Sequence, residues 1–179
     1  MDLDIYEIDD VNEHRYLLGR RGFRQVLVLG VNPSTATDQT SDKTLSNVMK
    51  ILDAHGYDGF CMANLYPQRA TVFESLPEKP DLKQIDDNIE KIKQQLEGTH
   101  TMAIWAAWGN SISKREYLAY SLTQLVKRAN LTEYVWLSYN EFTLEGHPRH
   151  PSRVALDGKL IEFDVSDYLQ TLKTMPVEE

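Results

Sequence analysis

Two asparagines and two histidines hold the residue types and spacing that can do chemistry in this chain. Asn32 stands in Gly30-Val31-Asn32-Pro33-Ser34-Thr35, directly after an apolar run. Gly30 permits a sharp turn or a close approach to a ligand. Pro33 keeps Asn32 extended, so its amide can orient a water or a base edge. The competing reading is an Asx-type turn that only joins two elements. Asn64 opens Asn64-Leu65-Tyr66-Pro67-Gln68-Arg69-Ala70-Thr71, after a second apolar run. An amide offers a donor and an acceptor, which suits a nucleobase edge. Tyr66 can stack on a ring and Arg69 can take a phosphate or carboxylate. Equally, these residues can simply tie down a loop.

The third group is Gly146-His147-Pro148-Arg149-His150-Pro151-Ser152-Arg153. Each proline stiffens the chain beside a histidine, and an imidazole held there can donate to developing negative charge. A rigid surface loop is the alternative. Metal binding is not expected, because H-x-x-H in a Pro-rich loop lacks helical i, i+4 spacing and a third ligand. Trp108 can line a pocket or fill the core. The first loop carries no Gly-Lys-Ser/Thr of a P-loop, no G-x-G-x-x-G and no G-x-S-x-G elbow. Cys61, the single cysteine, reads as a buried apolar residue.

These loops need a scaffold, and the hydrophobic pattern supplies one. Apolar runs at 25–29, 59–63, 102–107 and 134–138 read as strands buried on both faces. Helical stripes at about 43–55, 81–97 and 111–129 lie between them, and a C-terminal helix covers about 165–173. A hairpin is expected to turn at Asp157-Gly158. Strands alternating with helices predict a parallel four-stranded sheet with helices on both faces. Ligands of such folds bind outside the carboxyl ends of the strands, where all three loops begin or can reach.

The 179 residues fit one domain, 1–179, with the hairpin and last helix at 154–175. No apolar stretch approaches the roughly 20 residues of a membrane span. The acidic start MDLDIYEIDD lacks a signal-peptide pattern. One cysteine and no leader predict a cytoplasmic protein. The net charge of −8 argues against bulk attraction to DNA. Arg15, Arg20, Arg21 and Arg24, set against Glu13 alone within 13–24, leave room for a local basic patch.

Arg15-Tyr16-x-Leu18, Asn32–Ala36, Asp42-x-Thr44, Asn64–Thr71, Ala106–Gly109 and Gly146–Pro151 together resemble domain of unknown function family 1643, over about residues 15–153. That family name implies no activity. The order Gly-x-Asn-Pro, a later strand-end Asn and a late His-Pro-Ser is more distantly similar to the uracil-DNA glycosylase superfamily. This resemblance implies a three-layer α/β/α sandwich and a metal-independent N-glycosidic hydrolase acting on a nucleobase in nucleic acid, without a cofactor. Asn32 would hold the attacking water and Asn64 would read the base. His150, or else His147, would stabilise the leaving base. Arg153 or Val154 would lie near the wedge into DNA. Gly30, Pro33, Ser34, Tyr66, Arg69, Trp108, Ser152 and Arg153 would complete the substrate-binding surface. The alternatives are a nucleotide- or nucleic-acid-binding module using the same pocket without catalysis, and an interaction protein.

Overall fold

In the computed structural model, residues 3–176 are described. The apolar runs form four parallel strands: β3 (Gln25–Gly30), β4 (Gly59–Asn64), β5 (Thr101–Ala106) and β6 (Val135–Tyr139). Every residue of β3 and β4 is buried, as continuous apolar runs require when both faces are covered.

The sheet has seven strands where the hydrophobic pattern predicts four, in the order β1-β2-β4-β3-β5-β6-β7. The three extra strands are antiparallel and lie at the edges. β1 (Ile5–Ile8) and β2 (Arg15–Arg20) form a hairpin that adds to β4. β7 (Leu160–Glu162) adds to β6. The turn near Asp157 therefore makes no hairpin of its own. The strand after it returns to β6, with Gly158 N–H donating to the Tyr139 hydroxyl at 2.7 Å.

Helix α1 (Lys43–Ala54) is capped by Asp42, whose side chain accepts from Leu45 N–H at 2.8 Å. It covers one face of the sheet with Leu45, Val48, Ile51 and Leu52. Helices α2 (Leu82–Glu97) and α3 (Glu116–Arg128) cover the other face, joined by α4 (Val165–Gln170). This gives three layers. The stretch expected as one helix at 111–129 is instead a 3₁₀ segment, Gly109–Lys114, followed by α3, because Arg115 is extended. The last helix ends at Gln170, three residues before the expected end.

Two of the four N-terminal arginines pair with carboxylates. Arg20 pairs with Asp53 at 3.0 Å and Arg21 with Asp4 at 3.5 Å. Arg24 N–H donates to Asp58 at 2.7 Å, and the Arg24 side chain lies over Tyr57. Arg15 is buried. No helix of the described residues is long and apolar enough to cross a membrane.

The order in which parallel strands are added reverses at β3. Its connection runs through α1 to β4 on one side, and the chain then crosses through α2 to β5 on the other. Adjacent parallel strands whose loops leave toward opposite faces open a crevice at their carboxyl ends. The loops after β3, β4 and β5 meet there.

Candidate functional site

Gly30 and Asn64 are register partners at the ends of β3 and β4. A Cβ on Gly30 would lie 2.7 Å from Asn64 Oδ1, so only glycine leaves the Asn64 amide its place. Asn64 is 3% exposed, and its Nδ2 is buried without a hydrogen-bond partner among the described residues. Such a group costs about 1–3 kcal/mol, and most buried polar atoms are satisfied. The backbone carbonyl of Asn64 is occupied by Asn88 Nδ2 at 2.7 Å. The side-chain amide is therefore the unspent group.

Asn32 donates from Nδ2 to Pro33 O (3.0 Å) and to Ala70 O (2.9 Å). Only the NH₂ end can serve two carbonyls, so the amide orientation follows from the network. The loop-tying and functional readings of Asn32 thus coexist. Its donors lock the loop after β3 to the loop after β4, and Oδ1 remains as a fixed acceptor. Pro33 is buried, and its carbonyl also accepts from Ala70 N–H at 2.9 Å. Ser34 contributes its carbonyl to Arg69 Nη1 at 2.7 Å.

His150 enters from the loop after β6. A Cβ on Gly109 would lie 3.0 Å from the His150 Cβ, and Gly109 has φ +62°, so glycine is required there twice over. Asn47 on α1 donates to Pro151 O at 2.8 Å and ties this loop to the helix. His150 Nδ1 faces Ser152 N–H at 3.2 Å and Ser152 Oγ at 2.8 Å. A backbone N–H can only donate, so Nδ1 holds a lone pair and the proton of the neutral ring sits on Nε2. Burial lowers the His150 pKa from its ordinary 6.5 and Arg153 lowers it further, while Asp42 opposes them. The result is a neutral imidazole with an N–H donor that has no partner among the described residues. Arg153 itself is exposed.

The other expected residues lie elsewhere or are already engaged. His147 does not join His150. It is buried under α4, with Nδ1 2.9 Å from the Tyr168 hydroxyl. The same hydroxyl accepts from Trp108 Nε1 at 2.9 Å. Trp108 is 1% exposed and packs on Trp136 and Tyr168, so it fills the core rather than lining the crevice. Tyr66 is likewise 1% exposed. It packs on Tyr117 and its hydroxyl accepts from Asp81 N–H, which removes it as a stacking ring. Arg69 gives four of its five N–H donors to Asn12 Oδ1, Ser34 O, Ala36 O and the Tyr6 hydroxyl, which leaves one Nη2–H without a partner among the described residues.

Three residues of the region went without a role in the sequence reading. Asp42 reads as a helix cap, and it is one, but its charge also reaches both His150 and Arg15. Asn47 sits on the polar side of α1 and carries no sequence signal beyond that. Arg15 sits in a strand that the hydrophobic pattern does not reveal. Among the described residues, no group of three or more His, Cys, Asp or Glu is placed to hold a metal ion. Cys61 is buried, and burial pushes its thiol up to about 12.

Residues 15–152 match the family described as Protein of unknown function (DUF1643). The chain belongs to this family. The DUF1643 match takes in Arg15, both loop asparagines, His150 and Ser152, and it stops before β7 and α4. No curated protein and no solved structure matches the chain.

Proposed function

We propose that the crevice binds a nucleobase in nucleic acid and hydrolyses its N-glycosidic bond without a metal, on a scaffold like that of the uracil-DNA glycosylases. The observation that carries this reading is the buried Asn64 Nδ2 without a partner among the described residues, on an amide seated against Gly30, two residues before Asn32. A base edge offers an acceptor and a donor side by side, which is what one amide can satisfy.

Each remaining group then has one task. Asn32 Oδ1 accepts a hydrogen bond from a water and directs its lone pair at the anomeric carbon. As the bond from that carbon to the base nitrogen breaks, the base takes the electron pair. His150 Nε2–H donates to the base oxygen where this charge gathers. The water oxygen forms the new bond to the sugar, and its proton ends on the released base. A fixed donor in a dry site is worth roughly 3–4 kcal/mol. A neutral imidazole is suited to this, since it donates without giving up its proton. A base within duplex must first leave the stack, at a cost of a few kcal/mol.

The test is release of base from single- and double-stranded oligonucleotides carrying uracil, hypoxanthine or an alkylated base, scored as abasic sites. Release that disappears in Asn32→Ala, with oligonucleotide binding retained, is the expected outcome. Binding without release by the wild type would leave a binding module in its place. Neither release nor binding would overturn both readings.

A further inference from the structure

Three of the arginines that pack against the body of the protein meet carboxylates, and Arg149 meets the backbone carbonyls of Glu141 and Phe142. Arg20 pairs with Asp53, Arg115 with Glu78, and Arg128 with Asp86 and Glu90. Two at the crevice do not. Arg15 is 3% exposed, and no carboxylate lies within 4.0 Å of it or of Arg69 among the described residues. Both guanidiniums converge on the loop after β3. Arg15 Nη1 donates to Ala36 O at 2.7 Å and Arg69 Nη1 to the same oxygen at 3.2 Å. Arg15 Nε is buried and unpaired, and its Nη2 has no partner among the described residues.

Two like charges held this close, one of them buried, repel each other and lose hydration. Burial first, and Arg69 second, lower the Arg15 pKa to about 10, so the group remains cationic at neutral pH. Asp42 is the carboxylate whose field offsets them, and its side chain is committed to the start of α1. Backbone carbonyls satisfy some of the N–H groups but carry no full negative charge. The arrangement has the donors and the positive charge that suit an oxyanion.

We infer that Arg15, with Arg69 beside it, anchors a phosphate group in the crevice, next to the position of the base. The inference rests on the nucleobase reading of the same site and adds to it the group that holds the ligand in register. A guanidinium presents paired donors that match phosphate oxygens, and phosphate contacts position a nucleic acid without reading its sequence. The local excess of positive charge gives an acidic protein a defined place for an anionic ligand.

The experiment is thermal unfolding of the full chain in inorganic phosphate against potassium chloride at matched ionic strength. The wild type, Arg15→Lys and Arg69→Gln are compared. At about tenfold over Kd a rise in Tm of roughly 3–5 °C is expected for the wild type. Arg15→Lys keeps the charge but loses the planar fork, so phosphate affinity should fall by about tenfold. A nucleoside monophosphate and a short oligonucleotide lacking terminal phosphate form two further arms, which separate monoester from diester recognition. Should either variant fail to fold, the Nε–H signals of wild-type arginines are followed through a phosphate titration. Saturable shifts at Arg15 and Arg69 support the subsite. No stabilisation beyond that of chloride, equal stabilisation in both variants, or shifts confined to surface arginines would overturn it. Because the readout needs no chemistry, loss of this subsite and loss of base release are separate results.

Discussion

His147 and His150 lie three residues apart, each before a proline, yet they serve two different regions. His147 belongs to an aromatic cluster built by Trp108, Trp136, Phe142, Phe163 and Tyr168. Its Nδ1 is engaged by Tyr168, whose hydroxyl already accepts from Trp108 and so has its proton free for the imidazole. His150 belongs to the crevice, where a backbone N–H holds Nδ1 and leaves Nε2–H unspent. In the first region the polar atoms complete one another inside a packed core. In the second they are fixed on one side and open on the other. A surface cavity of about 430 Å³ does border His147, with Glu116, Glu145 and Lys173 on its walls. Its charged groups are engaged: Glu116 pairs with Lys173 at 2.8 Å, and Glu145 accepts from Asn110 Nδ2 at 2.6 Å. The two regions differ in their hydrogen bonding: the Tyr168 hydroxyl links Trp108 and His147 within the core, whereas at the crevice Asn64 Nδ2 has no partner among the described residues.

The contrast can be broken by stability measurements. Tyr168→Phe removes one hydroxyl and strands both Trp108 Nε1–H and His147 Nδ1. A loss of about 2–3 kcal/mol in urea unfolding is expected. Ser152→Ala, the matching deletion beside His150, leaves the backbone N–H in place and should cost under about 1 kcal/mol. Equal losses would erase the distinction. Gly30→Ala should cost only about 1–2 kcal/mol, since the atom it meets is the end of a side chain. It should nevertheless weaken ligand binding by displacing the Asn64 amide, measured on oligonucleotides by anisotropy.

The smallest effect is on pH dependence. Burial lowers both histidine pKa values below the ordinary 6.5. The unfolded chain therefore takes up protons first on acidification. Stability from these groups is complete above pH 6.5 and declines as pH falls through the folded values. The urea midpoint should drop on acidification from that point. His147→Gln and His150→Gln should each flatten the decline, whereas a flat wild-type profile would contradict the burial of both rings.

Much of the scaffold was legible because long apolar periodicity survives any tertiary context. The four parallel strands and the stripes Ile85, Ile89, Ile92 and Leu118, Leu122, Leu125 are examples. The hairpin of β1 and β2 was not, since β1 has only four residues, β2 begins and ends on arginine, and the pair is complete only beside β4. Strand-end asparagines could be placed at the sheet edge because an apolar strand ending in a polar residue has one exit. The direction of each side chain in the last loop could not be. A stretch of alternating His-Pro carries no period, so nothing local tells His147 to turn toward Tyr168 and His150 toward α1. Arg69 and Tyr66 misled for a related reason. Their chemistry suits a ligand, but the atoms that engage them, such as Tyr6, Ala36 and Asp81, are distant in sequence.

The central claim is that His150 acts on the departing base and His147 holds the core. It is tested most directly by single-turnover base release at neutral pH from a substrate the wild type accepts, comparing His150→Gln with His147→Gln at a temperature where both are folded. The account predicts a loss of about 10²–10³-fold for His150→Gln and a rate within a few-fold of wild type for His147→Gln. Equal losses in the two variants, or a larger loss for His147→Gln, would contradict it.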